Sequence, residues 1–389
     1  MQQPLFISHY AMVNALGRDN QSIKRNLLAG SQSGLVLNDT LFNEGSIYVG
    51  AVQGDLPSLT DHAIEFQTRN NQLAALALEQ LLEPVASLKQ QYGAQRIAVI
   101  VGTSTSGIAQ GEQAMHTLQQ TGSFPVEYHY QQQEMDNLAE FIRAELGLEG
   151  LVLTLSTACS SSAKAFASAQ EMINVGLADA AIVGGVDSLC GMTVNGFAAL
   201  ASTSAGICNP SSRNRDGINL GEAAALCIVQ KKGTVKLLGV GESSDAHHMS
   251  APHPLGEGAA VAMRNALAAA AYQACDVDYV NLHGTATPKN DEMEAIAHAN
   301  VFGLETPCSS TKGMIGHTLG AAGATEIGLC WLLLGGYDYA PHVWDAQRDE
   351  NLPAINLMPV GAKQKTKIAT CLSNSFAFGG NNVSVLIGL

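Results

Sequence analysis

The 389-residue sequence contains 46% hydrophobic but only 14% charged residues, and its formal net charge is −14. This composition is typical of a compact enzyme with a large buried core and argues against a disordered or fibrous chain. Nucleic-acid-binding proteins carry a clustered basic excess, which an acidic chain of this kind lacks. We therefore expect no nucleic-acid partner.

Eight cysteines are dispersed along the chain without a CxxC pair, so zinc-ribbon and thioredoxin-like sites are not indicated. Dispersed cysteines in a chain of this length predict buried thiols in a reducing compartment. The first ten residues lack the basic and apolar regions of a signal peptide. The longest apolar runs, such as residues 327–334, are too short to span a bilayer. We predict a cytoplasmic protein without membrane insertion.

Short apolar runs alternate with helical segments in the first part of the chain. Residues 97–102, 151–157 and 180–184 predict buried strands. Between the last two, residues 160–175 predict a helix that ends at Gly176. This strand–helix–strand order is typical of an α/β fold.

A second series follows the polar turn at residues 231–233. It predicts an Ala-rich helix at 258–271 and strands at 235–240, 278–282, 308–311, 369–372 and 383–387. The similar order of elements predicts two halves, residues 1–233 and 234–389, fused into one body. No sequence repeat connects the halves, so their duplication is a structural hypothesis.

Cys159 lies in the segment Leu-Ser-Thr-Ala-Cys-Ser-Ser-Ser, between a predicted strand and a predicted helix. Unpaired N–H groups at a helix N-terminus lower the pKa of a thiol. The same groups can stabilise the oxyanion that forms when a thioester carbonyl is attacked. The segment predicts a nucleophile, although a buried structural thiol is equally compatible with the local sequence.

Three further segments carry side chains that could take part in catalysis or ligand binding. His283 precedes a glycine at a predicted strand end, where Asp291 and Glu294 could order it; a packing histidine is the alternative. Lys312 and His317 share a Gly-rich stretch without the Walker pattern, which argues against nucleotide binding. The loop at residues 373–382 places two phenylalanines beside paired glycines. This pattern predicts either a lid over a ligand or a packed tight turn.

These segments, in this order, resemble the elongating β-ketoacyl-acyl-carrier-protein synthases (KAS I/II type) of the thiolase superfamily. The similarity begins at residues 7–17 and includes residues 243–252. Its most specific parts are residues 157–159, 283–285 and 312–317. The resemblance implies an α/β thiolase-like fold, in which two similar halves form a five-layered α-β-α-β-α body.

The resemblance also implies a reaction. Cys159 would accept an acyl chain from a carrier protein as a thioester. A malonyl-type extender would then lose carbon dioxide while His283 and His317 stabilise the developing negative charge. Lys312 would keep the imidazoles neutral, with Glu326 supporting the lysine. No metal or organic cofactor is implied.

The resemblance also implies roles for the residues around Cys159. The backbone N–H groups of Cys159 and Phe378 would form an oxyanion hole, and Phe378 would act as a gate. Gly107, Ile108 and Phe376 would line the acyl pocket. The acidic carrier protein would dock on a local basic patch, for which the candidate residues are Arg69, Arg213 and Arg215.

Three positions depart from the family pattern. This chain has Ala377 where glycine is common, Asn381 where threonine is common and Ala286 where serine is common. Alanine restricts the backbone φ angle relative to glycine, which affects motion of the predicted gate. These departures suggest a specialised substrate, such as an unsaturated or aryl-primed chain.

Several alternatives remain at this point. A coenzyme A thiolase would use a second cysteine and one histidine, whereas this chain has the pair His283 and His317 with Lys312. A non-catalytic chain-length partner would lack the nucleophile. A metal-binding or regulatory module would use the scattered Cys and His residues. The chain could form a homodimer or the active half of a heterodimer with a chain-length-factor-like subunit.

Overall fold

The computed structural model describes residues 3–389. In chain order, the strands and helices are β1 (Leu5–Val13), α1 (Asn20–Leu28), β2 (Leu35–Asn38), β3 (Ile47–Gly50), α2 (Arg69–Leu78), α3 (Leu82–Tyr92), β4 (Ile97–Gly102), α4 (Ile108–Thr121), α5 (Asn137–Glu145), β5 (Val152–Leu155), α6 (Ser161–Asn174), β6 (Ala180–Asp187), α7 (Gly191–Ala199), β7 (Leu220–Gly221), β8 (Ala223–Gln230), β9 (Val235–Ser244), α8 (Glu257–Ala270), β10 (Tyr279–Asn281), α9 (Pro288–Phe302), β11 (Pro307–Ser309), α10 (Lys312–Ile315), α11 (Ala322–Leu333), β12 (Asn356–Leu357), β13 (Thr370–Phe376) and β14 (Asn381–Gly388).

The main sheet has eleven strands in the order β12-β11-β10-β13-β14-β9-β1-β8-β6-β4-β5. Its two arms meet where β1 pairs with β9 through only three residue pairs, from Leu5 opposite Leu237 to Ile7 opposite Val235. In the first arm, β4 is parallel to β5 and β6, and β8 runs antiparallel to β6 and β1. In the second arm, β10 is parallel to β11 and β13, and β14 runs antiparallel to β13 and β9. The two arms therefore share one pattern of strand directions.

Helices fill three layers around these arms. The central layer is formed by α6 and α11, which contact each other and strands of both arms. The helices α2 and α5 cover the outer face of the first arm, and α8 packs on the outer face of the second arm with α9 against it. The predicted α/β body with five α-β-α-β-α layers is thus confirmed.

Burial on both faces explains why apolar runs predicted the strands. In β4, Ala98 and Ile100 contribute to the core between the arms. The alternate residues Ile97, Val99 and Val101 contribute to the core beneath α2 and α5. A strand covered on both faces reads as a continuous apolar run rather than an alternating one.

Two predictions about burial need correction. The strand predicted at residues 151–157 is the shorter β5, and its residues are half-buried rather than buried, because β5 lies at the edge of the sheet. Seven of the eight cysteines are buried free thiols, as expected, but Cys275 is exposed.

Among residues 3–389, no helix combines the length and apolarity needed to cross a bilayer. The cytoplasmic location stays a prediction.

The buried histidine His342 makes the stability of the fold sensitive to acid. Its Nδ1 accepts from the Ser310 N–H at 3.0 Å, and its Nε2 donates to the Pro210 carbonyl at 2.9 Å. Burial lowers the pKa of His342 to about 4, against the opposing effect of that carbonyl. The unfolded chain therefore takes up a proton near pH 6.5 that the folded protein does not. The contribution of neutral His342 to the unfolding free energy is complete above pH 6.5 and is lost as the pH falls towards 4.

We predict that His342 contributes about 3 kcal/mol to the loss of unfolding free energy between pH 7 and pH 4. Urea titrations at several pH values measure this loss. His342→Gln preserves one acceptor and one donor but does not titrate, so its unfolding free energy should fall less steeply in acid. An identical acid slope in both proteins would refute the assignment to His342.

Candidate active site

Cys159 lies at the junction of β5 and α6, and its side chain is buried. The preceding residue, Ala158, has a φ of 51°, a left-handed conformation that is strained for a residue with a Cβ. The Ala158 carbonyl accepts from the Ser161 N–H at 3.1 Å and from the Ser161 hydroxyl at 2.6 Å. This tight turn presents the Cys159 sulphur at the N-terminal end of α6.

Both predicted histidines lie next to this sulphur. The Cys159 Sγ is 3.0 Å from His317 Nε2. The rings of His283 and His317 are nearly perpendicular, at 83°, with their centroids 5.2 Å apart. One ligand-type atom from each of the three residues falls within 4.8 Å of the others. The fold therefore assembles a Cys-His-His cluster from positions up to 158 residues apart.

Lys312 and Glu326 form a buried ion pair behind the histidines. The Lys312 ammonium donates to the Glu326 carboxylate and to the His283 carbonyl, and it lies 3.4 Å from His283 Nδ1. Burial, followed by the positive charge of Lys312, lowers the pKa of His283 and of His317 well below the usual value. Both imidazoles are therefore neutral near pH 7.

The Cys159 thiol does not follow the expectation from its helix N-terminus. Burial raises the pKa of Cys159 to about 12, although Lys312 and the backbone N–H groups of Phe378 and Cys159 lower it. Removal of water from a small buried site outweighs these favourable charges and dipoles. The resting group is a thiol, and the predicted lowering of its pKa is wrong in sign.

Two acidic residues order the segment around His283. Glu294 accepts from the N–H groups of His283 at 2.7 Å and Gly284 at 2.6 Å. Asp291 accepts from the Ala286 N–H at 3.2 Å with one oxygen. Its other oxygen accepts from the Ser211 N–H at 2.7 Å. The suggestion that these carboxyl groups could order the histidine segment is consistent with both sets of bonds.

A cavity of about 300 Å³ opens onto Cys159 and both histidines. Phe376 and Phe378 line it, whereas Gly107 and Ile108 do not. It is also lined by Phe197 of α7, whose ring centroid is 5.6 Å from that of Phe378. Sequence reasoning missed Phe197, because no local motif marks it and α7 reaches the cavity only through the tertiary fold.

Family models match most of this chain. Residues 10–234 match the N-terminal domain of beta-ketoacyl synthases, and residues 235–342 match the C-terminal domain. The chain belongs to the beta-ketoacyl synthase family. It is a ketosynthase, a condensing enzyme that transfers acyl groups, and the predicted resemblance is confirmed.

Individual relatives support the same assignment. The ketosynthase is 31% identical to nodulation protein E of Rhizobium meliloti (strain 1021), over 98% of each chain. It is 32% identical to 3-oxoacyl-[acyl-carrier-protein] synthase 2 of Coxiella burnetii, over 76% of this chain and 75% of the relative.

Solved structures agree in fold. A ketosynthase from Xenorhabdus doucetiae, in complex with its chain length factor, shares 44% identity and a TM-score of 0.95, covering 100% of this chain and 98% of its own. A beta-ketoacyl synthase from Burkholderia phymatum shares 26% identity and a TM-score of 0.85, covering 99% of both chains. The thiolase-like architecture therefore extends over the whole ketosynthase.

Ala377, in the loop between β13 and β14 that was predicted to act as a gate, is not strained. Ala377 is buried, and it is absent from the residues with a positive φ, which include Gly379 at 85° and Gly380 at 79°. Alanine therefore fits the observed conformation without a steric penalty. Asn381 begins β14, whereas the buried Ala286 has a φ of 68°, so that position does carry backbone strain.

Two of the three predicted docking arginines are engaged within the fold. Arg69 donates to both oxygens of Glu222, at 2.8 and 2.6 Å, and the Glu222 side chain is fully buried. The Arg215 side chain is only 8% exposed and pairs with Asp349 at 2.6 Å. Arg213 is exposed and donates to the Gln347 side chain at 2.9 Å. The geometry thus favours a structural role for Arg69 and Arg215, and leaves Arg213 available for docking.

We predict that Arg69→Met lowers the unfolding free energy by about 2 kcal/mol, because it leaves the buried Glu222 carboxylate with only backbone N–H partners. Those partners are Val52 at 3.1 Å and Leu189 at 3.4 Å. Arg143→Met is the matched control, since it removes a surface pair with Glu140 and should cost less than about 0.5 kcal/mol. Equal losses in urea unfolding would contradict the structural role of Arg69.

The Cys-His-His cluster also has donor types that bind zinc. The ammonium of Lys312 lies 3.4 Å from His283 Nδ1, so a cation in the cluster would face a buried positive charge at close range. The cluster geometry alone is compatible with a metal-binding module, but its electrostatic surroundings favour neutral hydrogen-bond donors over a cation. The prediction that no metal is required remains to be tested by elemental analysis.

Proposed function

We propose that this chain is a 3-oxoacyl-[acyl-carrier-protein] synthase, in fatty-acid, polyketide or polyene synthesis, that works by decarboxylative condensation. Cys159 takes an acyl chain from a carrier protein, and a malonyl-type extender on a carrier then supplies the carbon nucleophile. The observation that carries this proposal is the packing of the Cys159 sulphur against His317, with His283 and Lys312 behind it, at one cavity.

Acyl capture begins from the neutral thiol. As the Cys159 sulphur attacks the thioester carbonyl carbon, its proton moves to His317 Nε2, which lies 3.0 Å away. The bond between the acyl carbon and the carrier sulphur then breaks, and the carrier thiolate takes that proton. The backbone N–H groups of Cys159 and Phe378, which face the site, stabilise the oxyanion in between.

Decarboxylation of the extender uses the imidazole N–H groups. The carbon–carboxylate bond breaks, carbon dioxide leaves, and the electron pair becomes an enolate with its negative charge on the thioester oxygen. Lys312 donates towards His283 Nδ1, which leaves the proton of the neutral ring on Nε2 as a donor to that oxygen. During acyl capture the neutral His317 ring carries its own proton on Nδ1, which has no partner within residues 3–389. After the carrier thiol has left, the ring changes tautomer, and Nε2 becomes the second donor to that oxygen.

Condensation completes the cycle. The enolate carbon attacks the acyl carbonyl carbon on Cys159, the carbon–sulphur bond breaks, and the thiolate takes up one proton from solvent. Two fixed donors aimed at the developing negative charge stabilise it more strongly in a buried site than in water. The Glu326 carboxylate pairs with the buried ammonium of Lys312 behind the histidines.

We propose that the two halves, residues 1–233 and 234–389, divide this chemistry. The nucleophile comes from the first half, and His283, Lys312 and His317 come from the second. The chain passes from β8 of the first arm to β9 of the second across this boundary. The strand pattern common to both arms supports the division.

We further propose a dimer, because β5 ends the main sheet with an unpaired and half-buried edge. The exposed side chains of Leu151 and Tyr130 lie beside or near that edge. Gly107 and Ile108 would then line the acyl pocket at the interface. A chain-length-factor-like partner is a specific alternative to a second copy, because the 44% identical ketosynthase was solved with its chain length factor. Native mass measurement of co-purified chains distinguishes the two.

Carrier docking gives a prediction at Arg213. Charge reversal by Arg213→Glu should raise KM for carrier-bound acyl groups about tenfold and leave kcat nearly unchanged, since a surface charge acts mainly on encounter. Lys363→Glu, on an exposed ion pair with Asp338, serves as a control for net charge. Equal effects of the two changes on KM would remove Arg213 from the docking surface.

The proposal is tested by intact-mass analysis after incubation with a panel of acyl carrier proteins. We expect one acyl adduct per chain, and peptide mapping should place it on Cys159. The chain that loads fastest identifies the primer; fastest loading of ordinary saturated chains would refute the specialised substrate suggested by Ala377 and Asn381. No adduct from any carrier would contradict the proposed function.

A further inference from the structure

A buried carboxylate outside the Cys-His-His cluster collects an unusual number of donors. Asp187, at the end of β6, is fully buried and accepts five hydrogen bonds. Its Oδ1 accepts from the Thr103 and Thr105 hydroxyls at 2.9 and 2.7 Å, and from the N–H groups of Ser104 and Thr105, both at 2.7 Å. Its Oδ2 accepts from the Ala321 N–H at 3.0 Å.

These donors come from two segments that border the site. The segment 103–105 contacts the turn before Cys159, because the Ser104 hydroxyl donates to the Ala158 carbonyl at 3.4 Å. Ala321 lies four residues after His317, in the turn that leads into α11. A Cβ at Gly320 would approach Asp187 Oδ2 to 2.7 Å, so the turn packs directly on the carboxylate. Asp187 thus ties the cysteine turn to the histidine turn.

The negative charge of Asp187 distinguishes two possible roles, electrostatic activation of Cys159 and positioning of the groups around it. The charged and titratable groups that face the Cys159 sulphur are Lys312, His283, His317 and Asp187. Lys312 lowers the pKa of Cys159, whereas the Asp187 carboxylate raises it. Burial raises the pKa of Asp187 itself, and the hydrogen bonds from Thr105, Ser104 and Thr103 oppose that shift and favour the charged form. The negative charge therefore opposes formation of a thiolate. Whatever Asp187 contributes to the reaction must come from position rather than from electrostatic activation.

We propose that Asp187 is a positioning residue that holds the His317 imidazole in line with the Cys159 sulphur. This inference rests on the proposed acyl-capture step. The carboxylate has acceptors only, which suits five surrounding donors. An amide in its place would direct an NH₂ group at some of those donors and push the two segments apart.

Asp187→Asn tests this inference through two rates measured on the same protein. Acyl loading from a carrier protein should fall on the order of 100-fold, because a displacement of about 1 Å is enough for such a loss. Alkylation of Cys159 by iodoacetamide should instead reach its half-maximal rate at a lower pH, because a negative charge has been removed. This divergence between the two rates is the expected result.

Two other outcomes would overturn the proposal. If both rates rise, Asp187 acts only through its charge; if both fall with the folded fraction, it acts only in stability. Asp278→Asn is the matched control, because Asp278 accepts from the N–H groups of Ala369 at 2.7 Å and Thr370 at 3.0 Å away from the site. It should lower Tm and leave both rates unchanged.

A milder variant covers the case in which Asp187→Asn does not fold. Thr103→Val removes one of the five donors and should slow acyl loading several-fold without slowing alkylation. Unchanged loading in this variant would also overturn the proposal. Loading of the wild-type protein tests the proposed function separately, so the two failures are distinguishable.

Discussion

Cys159→Ala is expected to abolish acyl loading and to reduce condensation by at least about 10⁴-fold, because Cys159 is the one cysteine among the described residues that line the cavity. Malonyl decarboxylation should persist, since His283 and His317 keep their positions and their protons. The reaction is followed by intact mass for loading and by carbon dioxide release for decarboxylation. The variant should therefore separate the two halves of the cycle.

Cys227→Ala is the matched control for this variant. Cys227 is also a fully buried thiol, but it lies in β8 within the core between the arms. Its replacement should lower stability by removing core volume and leave the acyl adduct intact. An adduct that persists in Cys159→Ala, or disappears in Cys227→Ala, would contradict the assignment of the nucleophile.

His283→Ala is expected to lower condensation and malonyl decarboxylation by about 10²–10³-fold, the usual cost of one oxyanion donor. Acyl loading should change little, because the Cys159–His317 contact of 3.0 Å does not involve His283. Single-turnover measurements of loading and of carbon dioxide release report the two steps independently.

The control for this prediction is His298→Ala, which removes a fully buried histidine of α9 whose ring packs against Phe302. It should reduce Tm and leave the ratio of the two rates unchanged. Equal losses of loading and decarboxylation in His283→Ala would instead indicate a general collapse of the site, and the separate role of His283 would be wrong.

Much of the architecture could be predicted from the sequence, because its signals are local. β4 was predicted with its observed bounds, Ile97–Gly102, since a strand buried on both faces is a continuous apolar run bounded by turn residues. The ordered motifs around Cys159, His283 and His317 indicated a shared site. The fold brings these three residues together.

The features that the sequence did not reveal depend on distant contacts. Arg69 was a candidate for carrier docking, because its partner Glu222 lies 153 residues away and no local pattern reveals that pair. Phe197 carries no local motif, and Asp187 gains its donors only when β4, β6 and the turn before α11 meet. The pKa of Cys159 was predicted with the wrong sign, because a helix N-terminus is visible in a sequence and the loss of surrounding water is not.

The central claim is that condensation is driven by loss of the extender's carboxylate onto an acyl group held by Cys159. The most direct test loads the enzyme with an acyl chain and adds malonyl carrier protein labelled with ¹³C in its free carboxylate. We predict that the label leaves as carbon dioxide in equal amount to a product chain two carbons longer, while the adduct on Cys159 disappears. Label retained in the product, or an adduct that remains on Cys159, would contradict this account.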